Sequence, residues 1–409
     1  MAQDHLRITF VGHIDHGKSS LIGRLLYETD SVPEERMEQV RAASAAQGRD
    51  AELAYLVDHL KEERDRGITI DTAQIFFRTP GRECIVIDAP GHREFLKNML
   101  TGASQAEAAI LIVDAEEGLR EQTRRHAFLL RLLSIHYCVV VVNKMDLVAY
   151  AQERFEEVRE AVGQFLERVG LAAADFIPIS AKHGDNVTRP SDRMPWYQGL
   201  TILELLDTIP STRETSLPAR FCVQDVYHFG GQRMIAGRLE TGTLGPGDSI
   251  HILPDGLDAS VESVERFESP RTLAEAGECV ALILPPDAPA RRGQVYCDPL
   301  APPQVVTTLT ARLFWMREEP LAVGDDVTLK IATQESACRV RAIRHRIDSS
   351  SLDVLEEEAQ HLGTTEVADL ELEAASPMVA ELVEQNPSLG RLVLELDGAV
   401  AGAGTIVAL

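Results

Sequence analysis

The chain has 409 residues, 44% of them apolar and 25% charged, a length past which one core stops growing and a composition able to fill several, so two or three domains are expected. Its net charge of −24 argues against a broad polyphosphate-binding surface, because neutralising nucleic-acid phosphates takes clustered Lys and Arg. A local basic patch is not excluded; Arg124 with Arg125, Arg291 with Arg292, and Arg344 with Arg346 are the candidates, and solvated or ion-paired surface groups are their ordinary reading.

In chain order, the apolar run LRITFV at 6–11 precedes GHIDHGKSS at 12–20, and SLIGRLLYET continues it as an amphipathic stretch. The same alternation recurs: CIVIDA then FLKNMLTGAS, AAILIVDA then EQTRRHAFLLRLL, HYCVVVVNKMD then YAQERFEEVREAVGQFLERVG, FIPISA then TILELLDTI. Short β-branched runs alternating with helical periodicity predict a mostly parallel sheet with helices on both faces. Near residue 215 the texture changes, and segments such as GGQRMIAGRLETGTLGPGDSIHILPDG read as short strands parted by glycine and proline turns, which suggests antiparallel β-barrels. The proline-rich stretch DPLAPPQ at 298–304 divides this part, so the expected domains are a nucleotide-binding domain at 1–215 and barrels at 216–303 and 304–409.

The cysteines (Cys84, Cys138, Cys222, Cys279, Cys297 and Cys338) form no C-x-x-C pair and several lie inside apolar runs, the pattern of small core residues in a reducing compartment. With no apolar run of membrane-spanning length and charge too early for a signal peptide, a soluble cytoplasmic protein is expected, with no membrane partner.

The segment at 12–20 reads as a phosphate cradle. Gly12 and Gly17 permit backbone conformations that turn successive N–H groups inward, and a helix opening at Lys18 adds its positive dipole end. Lys18 would reach the β and γ phosphates, the Ser19 hydroxyl would ligate Mg2+, and His13, Asp15, His16 and Ser20 complete the loop.

Four further segments stand at positions a guanine-nucleotide switch needs. Asp88 and Gly91 in DAPGH follow a strand, Asp88 to hold the magnesium shell through water and Gly91 to offer its N–H to the γ phosphate. In NKMD, Asn143 and Lys144 lead to Asp146, whose carboxylate accepts from both N1–H and the exocyclic amine of guanine, a donor pair that adenine lacks, so GTP and GDP are selected over ATP. Ser180, Ala181 and Lys182 follow another strand and would place a backbone N–H near the guanine O6. Thr69 in RDRGITID could add its hydroxyl to magnesium only with a γ phosphate present, making that loop an order–disorder switch.

Together GHIDHGKS, ERDRGITID, DAPGHREFLKNMLTGASQAEAAILIVDA, NKMDLV and SAKHGDN resemble the translation-factor class of P-loop GTPases, that of elongation factor Tu and its eukaryotic counterpart. The resemblance implies that His92, after the glycine of D-x-P-G-H, is the catalytic residue, orienting water beside the γ phosphate. GRLETGTLGPGDSIHILP likewise resembles that class's second-domain barrel.

Within the class, LIGRLLYET, MPWYQGLTILELLDTI, LFWMREEPLAVGDDVTLKIAT and AGAGTIVAL look like the GTPase subunit of the two-subunit sulfate adenylyltransferase. That likeness implies a partner, a small ATP-pyrophosphatase-like catalytic subunit making adenylyl sulfate and pyrophosphate from ATP and sulfate, with GTP hydrolysis driving the unfavourable equilibrium. His16 departs from it: that subunit typically carries an aspartate there, whereas His13 and His16 are as in the elongation factors. The alternatives are an elongation-type GTPase delivering aminoacyl-tRNA, the one reading with a nucleic-acid partner, and a paralogue driving another activation or sulfur-transfer reaction.

Overall fold

The structure is a computed structural model that describes residues 5–32, 38, 53–56, 73–88, 106–135, 137–210, 215–266 and 273–409. The chain divides into two compact units, Met1–Ser211 and Thr212–Leu409.

In the first unit the strands are β1 (His5–Gly12), β2 (Ala73–Arg78), β3 (Glu83–Asp88), β4 (Ala108–Asp114), β5 (Tyr137–Asn143) and β6 (Ala173–Pro178). They form one sheet in the order β2-β3-β1-β4-β5-β6, all neighbours parallel except β2 against β3. Every residue of β4 is buried, as a parallel strand covered on both faces requires, which is why AAILIVD reads as an unbroken apolar run. The helices are α1 (Lys18–Glu28), α2 (Glu121–Leu132), α3 (Gln152–Val169) and α4 (Ile202–Thr208). On α3, Phe155, Val158, Val162, Phe165 and Leu166 are buried, at the three-to-four spacing of one helix face. This sheet orders the site, because the carboxyl ends of the parallel strands β1, β3, β4, β5 and β6 share one edge, where open α/β sheets bind ligands.

In the second unit β7 (Arg220–Phe229), β8 (Gln232–Thr241), β10 (Ser249–Leu253), β11 (Leu257–Ser260), β12 (Ser263–Glu265), β14 (Cys279–Ile283) and β15 (Val295–Cys297) make an antiparallel sheet, with β9 (Thr243–Leu244) and β13 (Ala274–Glu275) paired beside it. The second sheet comprises β16 (Gln304–Trp315), β18 (Asp326–Ile331), β19 (Gln334–Asp348), β20 (Val354–Ala359), β22 (Glu366–Ala380), β23 (Arg391–Leu396) and β24 (Ala399–Ala408); β17 (Leu321–Ala322) pairs with β21 (His361–Leu362), and α5 (Pro387–Gly390) precedes β23. Pairing of β18 with β19 closes this sheet on itself, removing the open edges between them.

Alternate residues of the first barrel serve two cores. Phe221 and Tyr296 stack inside it at 5.9 Å between ring centroids, while their neighbours Cys222, Val295 and Cys297 join Leu313, Trp315, Val340 and Leu370 in the core of the second. All six cysteines are free thiols and only Cys279 is exposed; burial pushes the Cys138 thiol up to about 12. No helix among the described residues is long and apolar enough to cross a membrane.

Candidate nucleotide site

The loop between β1 and α1 depends on its two glycines. A Cβ at Gly12 would lie 2.5 Å from the Ile112 carbonyl oxygen, and one at Gly17, where φ is +90°, would lie 2.3 Å from Asn143 Nδ2. Lys18 begins α1 and is buried, its Nζ donating to the Gly12 and His13 carbonyl oxygens at 2.9 and 3.3 Å. Ser19 and Ser20, half-buried, occupy the first turn of α1, and Asp15 stands exposed at φ +62°. A buried ammonium, a hydroxyl and the open N–H groups of a helix N-terminus are the donor set that a phosphate chain and its magnesium ion require, so these residues fit a nucleoside triphosphate.

The two histidines of the loop face inward. His16 is almost wholly buried, with Nδ1 3.2 Å from the Ile112 carbonyl oxygen and Nε2 3.4 Å from Glu117 Oε2. Carbonyl and carboxylate both only accept, so the ring satisfies both contacts only with a proton on each nitrogen, which its burial opposes. Burial lowers the pKa of His16 and that of His13, which meets its ring edge-on at 5.3 Å.

At the other end, the residues after β5 and β6 meet. Asn143 donates from Nδ2 to the His16 carbonyl oxygen at 2.8 Å and accepts from the Ala181 N–H at 3.0 Å, so one buried amide ties the phosphate loop to the 180–182 turn. Asp146 accepts from the Ser180 hydroxyl at 2.6 Å and stays partly open to solvent. Because the Ala181 N–H is already taken by Asn143, the N–H of this turn without a partner among the described residues is that of Lys182. Lys144 sits at φ +63° and reaches Asp114 Oδ2 at 2.7 Å. Burial alone would raise the Asp114 pKa, but Lys144 and the Glu116 and Glu117 N–H groups hold it below the usual carboxylate range.

The structure thus brings together Gly12, His13, Asp15, His16, Gly17, Lys18, Ser19 and Ser20 with Asn143, Lys144, Asp146, Ser180, Ala181 and Lys182. Asp88 ends β3 beside β1, its backbone in register with Phe10. Thr69, Gly91 and His92 lie outside the described residues. Sequence reasoning missed Asp114, although a carboxylate closing the buried run LIVD was a visible signal.

The family model for the elongation factor Tu GTP-binding domain matches residues 3–214, and that described as GTP-eEF1A C-terminal domain-like matches residues 308–407. Among curated proteins, the chain is 40% identical to elongation factor 1-alpha of Archaeoglobus fulgidus over 99% of this chain and 98% of that one. It is 39% identical to that of Thermococcus sibiricus over 99% and 98%, and 37% identical to that of Methanocaldococcus jannaschii over 98% and 97%.

These relatives overturn two expectations: that the chain is the GTPase subunit of a sulfate adenylyltransferase, and that its partner is a small ATP-pyrophosphatase-like subunit rather than a nucleic acid. His13 and His16, in the loop itself, already pointed to the elongation factors. The chain belongs to the elongation factor Tu and elongation factor 1-alpha family, and is a GTPase that works with GTP or GDP and Mg2+.

Proposed function

We propose that this chain is an elongation-type GTPase that binds aminoacyl-tRNA in its GTP form and releases it after hydrolysis. The observation that carries the reading is 40% identity to an elongation factor 1-alpha along 99% of the chain, both barrels included.

In this reading Lys18 and the N–H groups opening α1 hold the β and γ phosphates, with Gly12 and Gly17 giving the backbone room and His13, Asp15, His16 and Ser20 shaping the loop. Ser19, Thr69 and Asp88 would hold magnesium, which would neutralise charge on the phosphates. Gly91 offers its N–H to the γ phosphate. Asp146, steadied by Ser180, accepts from guanine N1–H and the exocyclic amine, and the Lys182 N–H donates to O6 beside Ala181. Asn143 and Lys144 fix that end of the pocket. His92 orients the attacking water. Loss of the γ phosphate removes the contacts of Thr69 and Gly91, which converts hydrolysis into a change of conformation. Such a factor works in the cytoplasm, among ribosomes.

The test is binding of charged and uncharged tRNA to the chain loaded with GDP or a non-hydrolysable GTP analogue, across a salt series. The GTP-analogue form should bind charged tRNA at least about tenfold more tightly than the GDP form. Affinity should fall steeply as salt rises, because contacts with tRNA phosphates release counterions. Equal affinity in the two nucleotide states, or for charged and uncharged tRNA, would refute the reading.

A further inference from the structure

We infer that Arg24 is a positioning residue for guanine recognition, so that helix α1 holds the base-reading turn as well as the phosphate loop. The inference rests on the reading of residues 180–182 as the turn that meets guanine O6.

From α1, Arg24 Nε donates to the Ala181 carbonyl oxygen at 2.9 Å, and its Nη2 donates to the Lys182 carbonyl oxygen. The Ala181 carbonyl and the Lys182 N–H belong to one peptide unit, and that unit is trans, since the cis bond of the described chain is Leu253–Pro254. In a trans peptide the C=O and N–H point to opposite sides. Holding the carbonyl on the α1 side therefore aims the Lys182 N–H, the donor without a partner in this turn, away from α1. A guanidinium on the carbonyl also polarises the peptide, which strengthens the N–H as a donor.

The neighbours of this contact leave the turn little freedom. Asn143 holds the Ala181 N–H, and the Gly184 N–H donates to the Ser180 carbonyl oxygen at 2.8 Å. One turn along α1, Glu28 lies 3.5 Å from Arg24 Nη1 and accepts from the Thr188 hydroxyl beyond the turn. A Cβ at Gly184, where φ is +81°, would stand 2.5 Å from Glu28 Oε1. On the far flank Asp185 accepts from Tyr150, Ser191 and Arg193 at 3.1, 2.7 and 3.2 Å. With those anchors in place, Arg24 is the side chain that sets the rotation of the Ala181–Lys182 peptide.

The experiment compares dissociation of GDP, of inosine diphosphate, which lacks the exocyclic amine, and of 2-aminopurine riboside diphosphate, which lacks O6 and with it the N1–H; since Asp146 accepts from N1–H and the amine together, a disturbance at Asp146 would also change the ratio of GDP to inosine diphosphate. The proteins are the full-length chain and its Arg24→Ala, Arg24→Lys and Asp146→Asn variants. Arg24→Ala should reduce the preference for GDP over the 2-aminopurine nucleotide by roughly tenfold, the worth of one such hydrogen bond, while leaving the ratio of GDP to inosine diphosphate unchanged. Arg24→Lys, which keeps one charged donor, should restore most of the preference. Should Arg24→Ala fail to fold, Arg24→Met keeps the apolar stem and answers the same question. A merely structural loss would weaken all three nucleotides alike, and an unaltered preference for GDP over the 2-aminopurine nucleotide overturns the inference. The underlying reading fails differently: the unmodified chain would then show no preference for guanine, or Asp146→Asn would leave the ratio of GDP to inosine diphosphate untouched.

Discussion

His126, on α2, has no exposed surface, and neither ring nitrogen has a hydrogen-bond partner among the described residues. Burial, and after it the nearby basic side chains of Lys18, His13, Arg125 and His16, which oppose a further positive charge, hold its pKa well below the ordinary imidazole value. His16 is shifted the same way by burial. A histidine whose folded pKa lies below its unfolded one contributes stability above about pH 6.5, and this stability is lost as the pH falls below that value, because the unfolded chain takes up the proton that the folded one refuses. Unfolding followed by urea titration between pH 7.5 and 5.5 should show His126 contributing up to about 1.4 kcal/mol of destabilisation per pH unit below that point. His126→Leu should flatten the dependence by that amount; identical slopes in variant and parent would show that the ring is not held neutral.

At the scale of the element, α4 shows how a short helix is held at its start. Only seven residues long, it is below the length at which a helix is stable by itself. Ile202, Leu205 and Leu206 bury its apolar face. The Thr201 hydroxyl accepts from the Glu204 N–H at 3.3 Å and Glu204 Oε2 accepts from the Thr201 N–H at 2.9 Å, a reciprocal cap on donors the helix cannot satisfy itself. Thr201→Ala should lower the stability of the first unit by about 1 kcal/mol. The protein has two tryptophans, Trp196 in the first unit and Trp315 in the core of the second. In a Trp315→Phe background, Trp196 fluorescence reports the first unit's transition, and a midpoint that Thr201→Ala does not move would show the cap to be idle.

For the whole molecule, charge is the property that local reading handles worst. The basic pairs that could have formed a patch are largely spent on acids: Arg291 grips Asp255 with two bonds at 2.6 and 2.7 Å, Arg344 meets Glu371 at 2.8 Å and Arg346 meets Glu356 at 3.3 Å. Exposed pairs of this kind contribute little each. A buried pair behaves differently. At the start of β7, Arg220 reaches Glu381, just past β22, at 2.7 Å and also donates to the Ala301 and Ala219 carbonyl oxygens, joining the two barrels where both side chains are largely buried. Arg220→Met should cost roughly 3–5 kcal/mol by stranding the Glu381 carboxylate, and adding Glu381→Leu should recover much of it. Denaturant titration of the second unit, followed through Trp315 in a Trp196→Phe background, checks both; a double variant no better than the single one would remove the pair as the cause.

What the sequence determined by itself was whatever depends on near neighbours in the chain. Unbroken apolar runs in AAILIVDA and YCVVVVN marked strands buried on both faces, and the motifs at the ends of those strands marked a nucleotide pocket, because run length and loop chemistry are local. The finer likeness to a sulfate-activating subunit misled, since segments shared across a family carry its common scaffold and not the partner of each member. Only the tertiary structure decided the contacts between distant segments: Asn143 closing on His16 and Ala181, Arg24 reaching Ala181 across 157 positions, and β18 pairing with β23. It also let Cys222 and Cys297 serve the core of the neighbouring barrel. Such contacts depend on where folding brings each backbone group, and no spacing along the chain encodes that direction.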